Sequence, residues 1–362
     1  ANLIGNINAG GGGVNRNLII NGAMAIDQRN SGSSFAQTNG SYNLDRFRGN
    51  SYDGGAATGK FTVQQSSTTP DNFAHSLLVT SSAATSDAAN NIFNIEQLIE
   101  GHNTALLQFG TSSAKTITLS FYVRSSLTGT FGGALKNSAR NRNYPFTYTI
   151  SSANTWEEKS ITISGDTSGT WIGATNETGL WVSFGLGVGS NYSGSAGAWG
   201  AGDYFSATGA TSVVGTNGAT WLITGVQLEV GQNPTEFEHE PIERTLKKCE
   251  RYFTRINAKG SVASYNCFPF SGFCRSSTLA QFPIHWNQPM RSVPTMSYAG
   301  ASTFGVLDSS GSTNAVSNIS TSRTTEIASV ADWTSSGLSA GNGTRLVANN
   351  TADAFIDADA EL

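Results

Sequence analysis

Between residues 60 and 230 the apolar positions fall mostly on every second residue, in short runs broken by glycine, asparagine, serine and threonine. Side chains alternate across a strand, so a period of two predicts half-buried β-strands. The runs are KFTVQQ (60–65), HSLLVTS (75–81), TALLQFG (104–110), TITLSFYVRS (116–125) and FTYTI (146–150). EKSITIS (158–164), GLWVSFGLGV (179–188) and TWLITGVQLEV (220–230) continue the series. Many short strands with polar turns predict a two-sheet jelly roll of roughly 8 to 10 strands.

Two stretches leave that period. In NIEQLIEGH the residues Ile95, Leu98 and Ile99 share a helical face, which predicts a short helix. Residues 241–255, PIERTLKKCERYFTR, are the most helical in pattern: Ile242, Leu246, Cys249 and Phe253 form one stripe. Pro241 suits a first helical position, and Glu243 early with Lys247, Lys248 and Arg251 late matches the helix dipole. Beyond it a second β unit is expected, with strands in QFPIHW, TMSYAG, TEIASVADW and AFIDADAEL, and solvent-facing loops at 308–322 and 334–344. The expected organisation is therefore a leader (1–16), a jelly roll (17–240), a helical connector (241–256) and a C-terminal β-sandwich (257–362). The fold class is all-β.

At the start of the jelly roll stands NLIINGAMAIDQRNSG (17–32), which reads as a buried strand at Leu18–Ile20, a turn at Asn21-Gly22, and a polar run of Asp27, Gln28 and Arg29.

Composition supports the β assignment and narrows the function. The 362 residues exceed one ordinary core and imply two domains. Charged residues are only 13% of the chain, yet 7 Trp, 19 Phe and 10 Tyr supply ample apolar surface, which excludes a disordered chain. A net charge of -4 with no long basic run argues against nucleic-acid binding. No apolar stretch approaches ~20 residues, so no membrane insertion is expected, and no basic-then-apolar start marks a secretory signal. Cys249, Cys267 and Cys274 are expected as free buried thiols, with a Cys267–Cys274 pair across a hairpin as the alternative.

Catalytic patterns are missing. His75, His102, His239 and His285 lack metal-ligand spacing, and the G-x-S-x-G spacing of GLSAG (337–341) falls in the Ser/Gly-rich 334–344 loop and not in a strand–turn–helix elbow, so no hydrolase nucleophile is expected. GGGGVNRN lacks the Lys-Ser/Thr ending of a phosphate loop. Glu157-Glu158 begins a strand, Glu96 and Glu100 share a helix face, and the alternating Glu236, Glu238 and Glu240 read as decoration of a solvent-facing edge. No catalytic residue is assigned, and an enzyme is not expected. Aromatics in polar loops are the better clue, because an aromatic face can stack on a sugar while nearby polar groups bind its hydroxyls. Tyr192, Trp199 and Tyr204 in the 189–209 loop, with Trp286 and Trp333 in the second unit, are the glycan-binding candidates. The competing reading is that these rings fold back over the sandwich end or meet a neighbouring subunit.

Several stretches together resemble bacteriophage tail-fibre and receptor-binding structural proteins: NLIINGAMAIDQRNSG, YNLDRF (42–47), QLIEGHN (97–103), KTITLSFYVRSSLTGTF (115–131) and TWEEKSITISGDTSGTW (155–171). WLITGVQLEVGQNPTEFEHEPIERTLKKCERYF (221–253), FPIHWNQPMRSVPTMS (282–297) and AFIDADAEL continue the series, so the resemblance runs from residue 17 to the end. It implies a non-catalytic virion component, a homotrimer with jelly-roll domains like carbohydrate-binding modules. The leader would attach to other tail or virion proteins, and the C-terminal domain would face the host-surface glycan or receptor. A capsid or tail decoration protein is the alternative, and a glycan depolymerase carries less weight.

NLIINGAMAIDQ is also similar to the opening strand of carbohydrate-binding jelly rolls, N-L-x-x-N-G-x-F-E, where acids of the first and last strands often hold a structural calcium. Here Met24 and Ala25 replace the aromatic and the acid, and Thr224-Gly225 stands where an acid pair is expected. Calcium needs six or more oxygens, so no metal or other cofactor is assigned. Asp27, Arg29, Asp45 and Arg46 are instead expected as a structural clasp, one carboxylate pairing with one guanidinium beneath the sandwich.

Overall fold

A computed structural model describes residues 15–55, 59–86, 88–258, 265–309 and 311–362. The expected leader (1–16) lies outside the described residues except for Asn15 and Arg16. The chain divides into two compact units, one up to Thr245 and the other Leu246–Glu361. The division falls inside the helix Ile242–Glu250, in the stretch expected as a connector.

In chain order the strands of the first unit are β1 (Phe35–Ala36), β2 (Ser41–Tyr42), β3 (Phe47–Asp53), β4 (Phe61–Ser66), β5 (Ser76–Ser81), β6 (Asn91–Glu100) and β7 (Ile117–Ser125). They continue with β8 (Gly129–Asn137), β9 (Asn143–Ile150), β10 (Glu157–Ile163), β11 (Thr178–Val188), β12 (Ser193–Gly194), β13 (Ser206–Ala207) and β14 (Thr220–Val230). One sheet has the order β1-β4-β5-β14-β7-β10 and the other β2-β3-β6-β11-β8-β9. The chain repeatedly passes from one sheet to the other, β5 to β6 to β7 to β8, which is jelly-roll connectivity. Alternation fills the space between the sheets: Ile117, Leu119, Phe121 and Val123 of β7 are buried with Phe93, Ile95, Phe131, Leu180 and Phe184 from the other sheet.

Two local assignments change. NIEQLIEGH is mostly strand, not helix, because β6 is flanked on both sides by β3 and β11 and all ten of its residues are buried. Its helical spacing is accidental; Phe93, Ile95 and Ile99 face the core, and tertiary pairing overrides local pattern. TALLQFG is not a strand. Gln108 and Gly110 adopt left-handed φ angles of 53° and 79°, which break an extended run, and residues Ala105–Leu107 form a 3-10 turn instead.

The opening stretch is also not a strand. It lies across the end of the core: the Leu18 N–H donates to Leu228 O of β14 at 2.9 Å, while Gln97 of β6 exchanges two hydrogen bonds with the Ile20 backbone (2.8 and 2.9 Å). It thus ties the two sheets together. Asn21 and Met24 have positive φ (62° and 57°), which explains why the run cannot stay extended.

The strands of the second unit are β15 (Phe253–Asn257), β16 (Cys267–Cys274), β17 (Leu279–His285), β18 (Thr295–Tyr298) and β19 (Phe304–Asp308). β20 (Thr313–Ser322), β21 (Ala328–Ser335), β22 (Gly343–Ala348) and β23 (Phe355–Asp359) complete it. It is all-β as expected, but its main sheet closes into a barrel, β16-β17-β21-β20-β19-β22, beside a three-stranded sheet β15-β23-β18. β16 makes the closure by pairing with both β17 and β22 around a register shift between Cys267 and Ser271. The expected loop 308–322 is largely β20, whose Ser/Thr/Asn side chains alternate on a strand held by β19 and β21. All three cysteines are free; Cys249 and Cys274 are buried, while Cys267 is exposed. Cys267 and Cys274 stand at opposite ends of one strand, so no hairpin brings them together.

Candidate functional site

The feature that shapes the outer face of the β14-containing sheet is one glycine. β14 pairs with β7 through a register shift between Thr224 and Gln227, and Gly225 within it has φ of 61°. A bulge re-aims the side chains around it and leaves a gap in the covering of the sheet. A Cβ on Gly225 would lie 2.8 Å from Phe73 Cζ and 2.9 Å from Tyr122 Cδ2, so the two rings occupy the room that the missing side chain leaves. Gly22 backs the same bulge: its carbonyl accepts the Val226 N–H at 3.0 Å, and a Cβ there would strike Val226 O at 2.1 Å. Thr224 Oγ1 donates to His75 O at 2.8 Å, fixing the loop that carries Phe73.

Onto this seat the segment after β14 folds back. Phe73 packs against Tyr122, Phe237 and His239 with ring centroids at 5.4, 5.2 and 5.1 Å, and Phe237 meets His239 at 5.0 Å. Together they line a groove of about 710 Å³, within the range of small-ligand sites. Asp71, Glu158 and Glu236 line the same groove, and no lysine or arginine does so among the described residues. Tyr122 and Glu158 are cross-strand partners, and the Tyr122 hydroxyl donates to the Glu158 carboxylate. Desolvation, then the charge of Glu158 and its hydrogen bond, then the charge of Glu236, raise the Tyr122 pKa above its ordinary value. An aromatic floor and a carboxylate rim thus face one space.

The wall behind the groove is held by two other acids. Glu229 is buried and accepts hydrogen bonds from the Thr235 N–H (2.8 Å) and from Gln227 Nε2 (3.0 Å). Glu238 accepts the backbone N–H groups of Asn15, Arg16 and Asn17 at 2.6, 2.9 and 3.1 Å. Glu238 is therefore an anchor, not decoration of a solvent-facing edge, and the 232–241 segment is not a strand.

The outer face of the other sheet has comparable ingredients in a different state. Glu96 accepts from Arg48 Nε (2.8 Å), Asn50 Nδ2 (2.9 Å) and Asn94 Nδ2 (3.0 Å). Trp181 lies under the Arg48 guanidinium at 4.7 Å and the Lys136 ammonium at 4.6 Å. The 190–207 loop closes over them: Asp203 pairs with Lys136 at 3.2 Å and with Arg140, and the Phe205 ring sits 3.1 Å from Lys136 Nζ. Burial lowers the Lys136 pKa to about 8, against the raising charges of Glu96 and Asp203.

The aromatics singled out from the sequence take internal roles. Trp199 packs against Phe109, Trp171 and Tyr144, and its indole N–H donates to Ser164 O at 2.6 Å. Tyr192 meets Phe205 edge-on, and Tyr204 lies where side chains on Gly194 and Gly202 would otherwise go. Trp333 is fully buried in the barrel against Phe282 and Phe304, and Trp286 is buried with it. Neither offers a face to a ligand, because the closed barrel turns both inward. In the expected clasp, buried Asp45 accepts the Gln28 N–H (2.7 Å) and Nε2 (2.6 Å). Burial pushes its carboxyl pKa up, and the nearby Arg29 charge opposes that most strongly. Arg29 also stacks over Tyr42 at 5.3 Å, whereas Arg46 donates to the Leu98 carbonyl. Asp27 caps a turn by accepting the Asn30 and Gly32 N–H groups at 3.0 and 2.6 Å.

No protein-family model and no curated protein matches the sequence. Among solved structures, the chain is similar to the enzymatically active domain of tailspike protein 4 from bacteriophage CBA120, with 12% identity and a TM-score of 0.32. That match covers 59% of this chain and 21% of the tailspike chain. A Clostridium thermocellum xylanase 10B fragment, CBM22-1 with GH10, complexed with xylohexaose, matches at 10% identity and a TM-score of 0.31, over 60% of this chain and 29% of that one. The family 11 carbohydrate-binding module of the same organism, complexed with a mixed-linked tetrasaccharide, matches at 9% identity and a TM-score of 0.28, over 56% of this chain and 98% of the module. With scores this low, the jelly-roll assignment rests on the strand order of the chain itself.

Proposed function

We propose that this chain is a non-catalytic attachment protein of a phage tail fibre that binds glycans, and that the groove floored by Phe73, Tyr122 and Phe237 is where it holds them. The observation that carries the binding part is the groove itself: aromatic surface beside convergent polar groups, in a space of about 710 Å³ whose Phe73 and Tyr122 rings are seated on a glycine. Aromatic faces stack on the C–H faces of sugar rings while carboxylates accept sugar hydroxyls. The virion role is supported by the order of sequence motifs that resemble tail fibres from residue 17 onward. In this reading the protein is a homotrimer in the virion, attached through its first residues, and three weak sites sum to firm attachment. The binding surface moves from the second unit, where Trp286 and Trp333 are buried, to the first.

The test is a glycan array and a host-cell binding assay on the full chain, with mass by light scattering. Glycan binding by a trimer, lost about tenfold or more in Tyr122→Ala with the β-sheet spectrum intact, supports the proposal. A folded chain that binds neither glycans nor cells overturns it in favour of a decoration protein.

A further inference from the structure

The lining of the groove is one-sided in charge. Asp71, Glu158 and Glu236 contribute three carboxylates, and the groove has no lysine or arginine among its described lining residues. Glu158 lies across the strand from Tyr122, and the Tyr122 hydroxyl can occupy only part of its accepting capacity, since an ionised carboxylate has about four lone-pair sites. The rings of Phe73, Tyr122 and Phe237 bring the electron-rich faces that attract cations. A neutral sugar would use the aromatic surface and leave the carboxylates repelling one another. We infer that the occupant is a positively charged sugar, a hexosamine whose amino group is free and protonated, with its ring on the aromatic floor and its ammonium toward Glu158 and Glu236. This rests on the glycan reading above and names the class of sugar. The breadth of the groove favours a sugar over a lysine side chain, because a single aliphatic stem would leave most of about 710 Å³ unfilled.

The test is calorimetric titration of the full chain at about pH 6, above the ordinary carboxylate range. The probes are a tetramer of glucosamine, the matching tetramer of N-acetylglucosamine, and cellotetraose. Expected is about tenfold tighter binding of the glucosamine tetramer than of either neutral probe, weakening as salt is raised. A Glu158→Gln/Glu236→Gln double variant, conservative at two exposed positions, is expected to abolish that preference while keeping weak binding of the neutral probes. His239→Gln, which removes the histidine facing the groove beside Asp71 and Tyr122, is expected to retain it. Equal or tighter binding of a neutral tetramer, unaffected by the double variant, overturns the inference and leaves the glycan reading standing. So does binding of neutral sugars that a chelator abolishes, since the carboxylates then act through a metal. Binding of tetralysine as tight as that of the glucosamine tetramer overturns the sugar assignment in favour of a basic protein partner. Binding of none of the probes, by a chain that also fails on the glycan array, overturns both readings.

Discussion

The two outer faces of the sandwich use the same kinds of side chain to opposite ends. On the Trp181 face, aromatic rings meet cations of the same chain, and Asp203 and Glu96 neutralise them. On the Tyr122 face, aromatic rings meet carboxylates and one histidine, and no lysine or arginine is among the described residues of the groove lining. The first face is closed by its own loop; on the second, a bulge and a glycine seat the rings that line an open groove. Opposite charges within one chain satisfy each other and become structure. Charge of one sign around an aromatic floor has no internal solution, and such a place is available to a ligand.

The comparison breaks most severely if the open face can be filled from within. Gly225→Val puts a β-branched side chain at a φ of 61° and into the space of two rings. It is expected to destabilise the first unit by about 3 kcal/mol and to abolish sugar binding. Asparagine tolerates the left-handed backbone but still carries a Cβ. Gly225→Asn is therefore expected to keep most of the stability and to lose binding, which melting curves and titration of both variants separate. A Gly225→Asn chain that binds normally would show that the seat beneath Phe73 and Tyr122 is irrelevant to the ligand.

On the closed face the partner is internal, so its removal is expected to register in stability instead of binding. Asp203→Ala leaves the buried Lys136 ammonium without its carboxylate. The expected loss is about 2 kcal/mol, below the full cost of breaking a buried pair because Asp203 is partly exposed and Glu96 remains near. Sugar affinity is expected to be unchanged. The pH dependence sharpens this. The folded-state pKa of Lys136, about 8, is below its unfolded value of 10.5, so between these values the unfolded chain holds the extra proton and stability rises with pH. Compared with Lys136→Met, the wild type is expected to gain about 2 kcal/mol between pH 8 and 10, measured by denaturant titration at each pH. A constant difference across that window would mean that the amine is not desolvated.

How much of this was legible in the sequence follows the same division between local and long-range causes. β7 and β14 were readable because alternation of Ile117, Leu119, Phe121 and Val123, or of Trp221 and Ile223, is written locally. β6 was not, since its polar residues Asn94, Glu96, Gln97 and Glu100 are buried like its apolar ones, and Ile95, Leu98 and Ile99 fall at helical spacing. β20 carries few apolar residues, and only its neighbours make it a strand. Polar loop aromatics such as Trp199 looked like a sugar platform, but an exposed ring and a ring covering a core end have the same sequence context. The groove was hidden because Phe73, Tyr122, Glu158 and Phe237 come from four separate stretches that meet only through the sheet order. Two signals pointed to it: a glycine in mid-strand at 225, which marks a bulge, and the interleaving of Phe237 and His239 with acids in EFEHE.

The smallest change is the most discriminating. Tyr122→Phe keeps the ring on its seat over Gly225 and removes only the hydroxyl that donates to Glu158. Loss of one partly exposed hydrogen bond is expected to change stability by less than about 1 kcal/mol. If the groove holds a protonated amino sugar, the freed Glu158 oxygen becomes available to the ammonium, and affinity for the glucosamine tetramer is expected to stay level or rise up to about threefold. If Tyr122 instead binds a sugar hydroxyl directly, the same variant weakens binding of the neutral tetramers, because a polar partner has been removed from a site built to use it. One titration series on Tyr122→Phe therefore distinguishes a groove whose hydroxyl positions a carboxylate from one whose hydroxyl contacts the ligand.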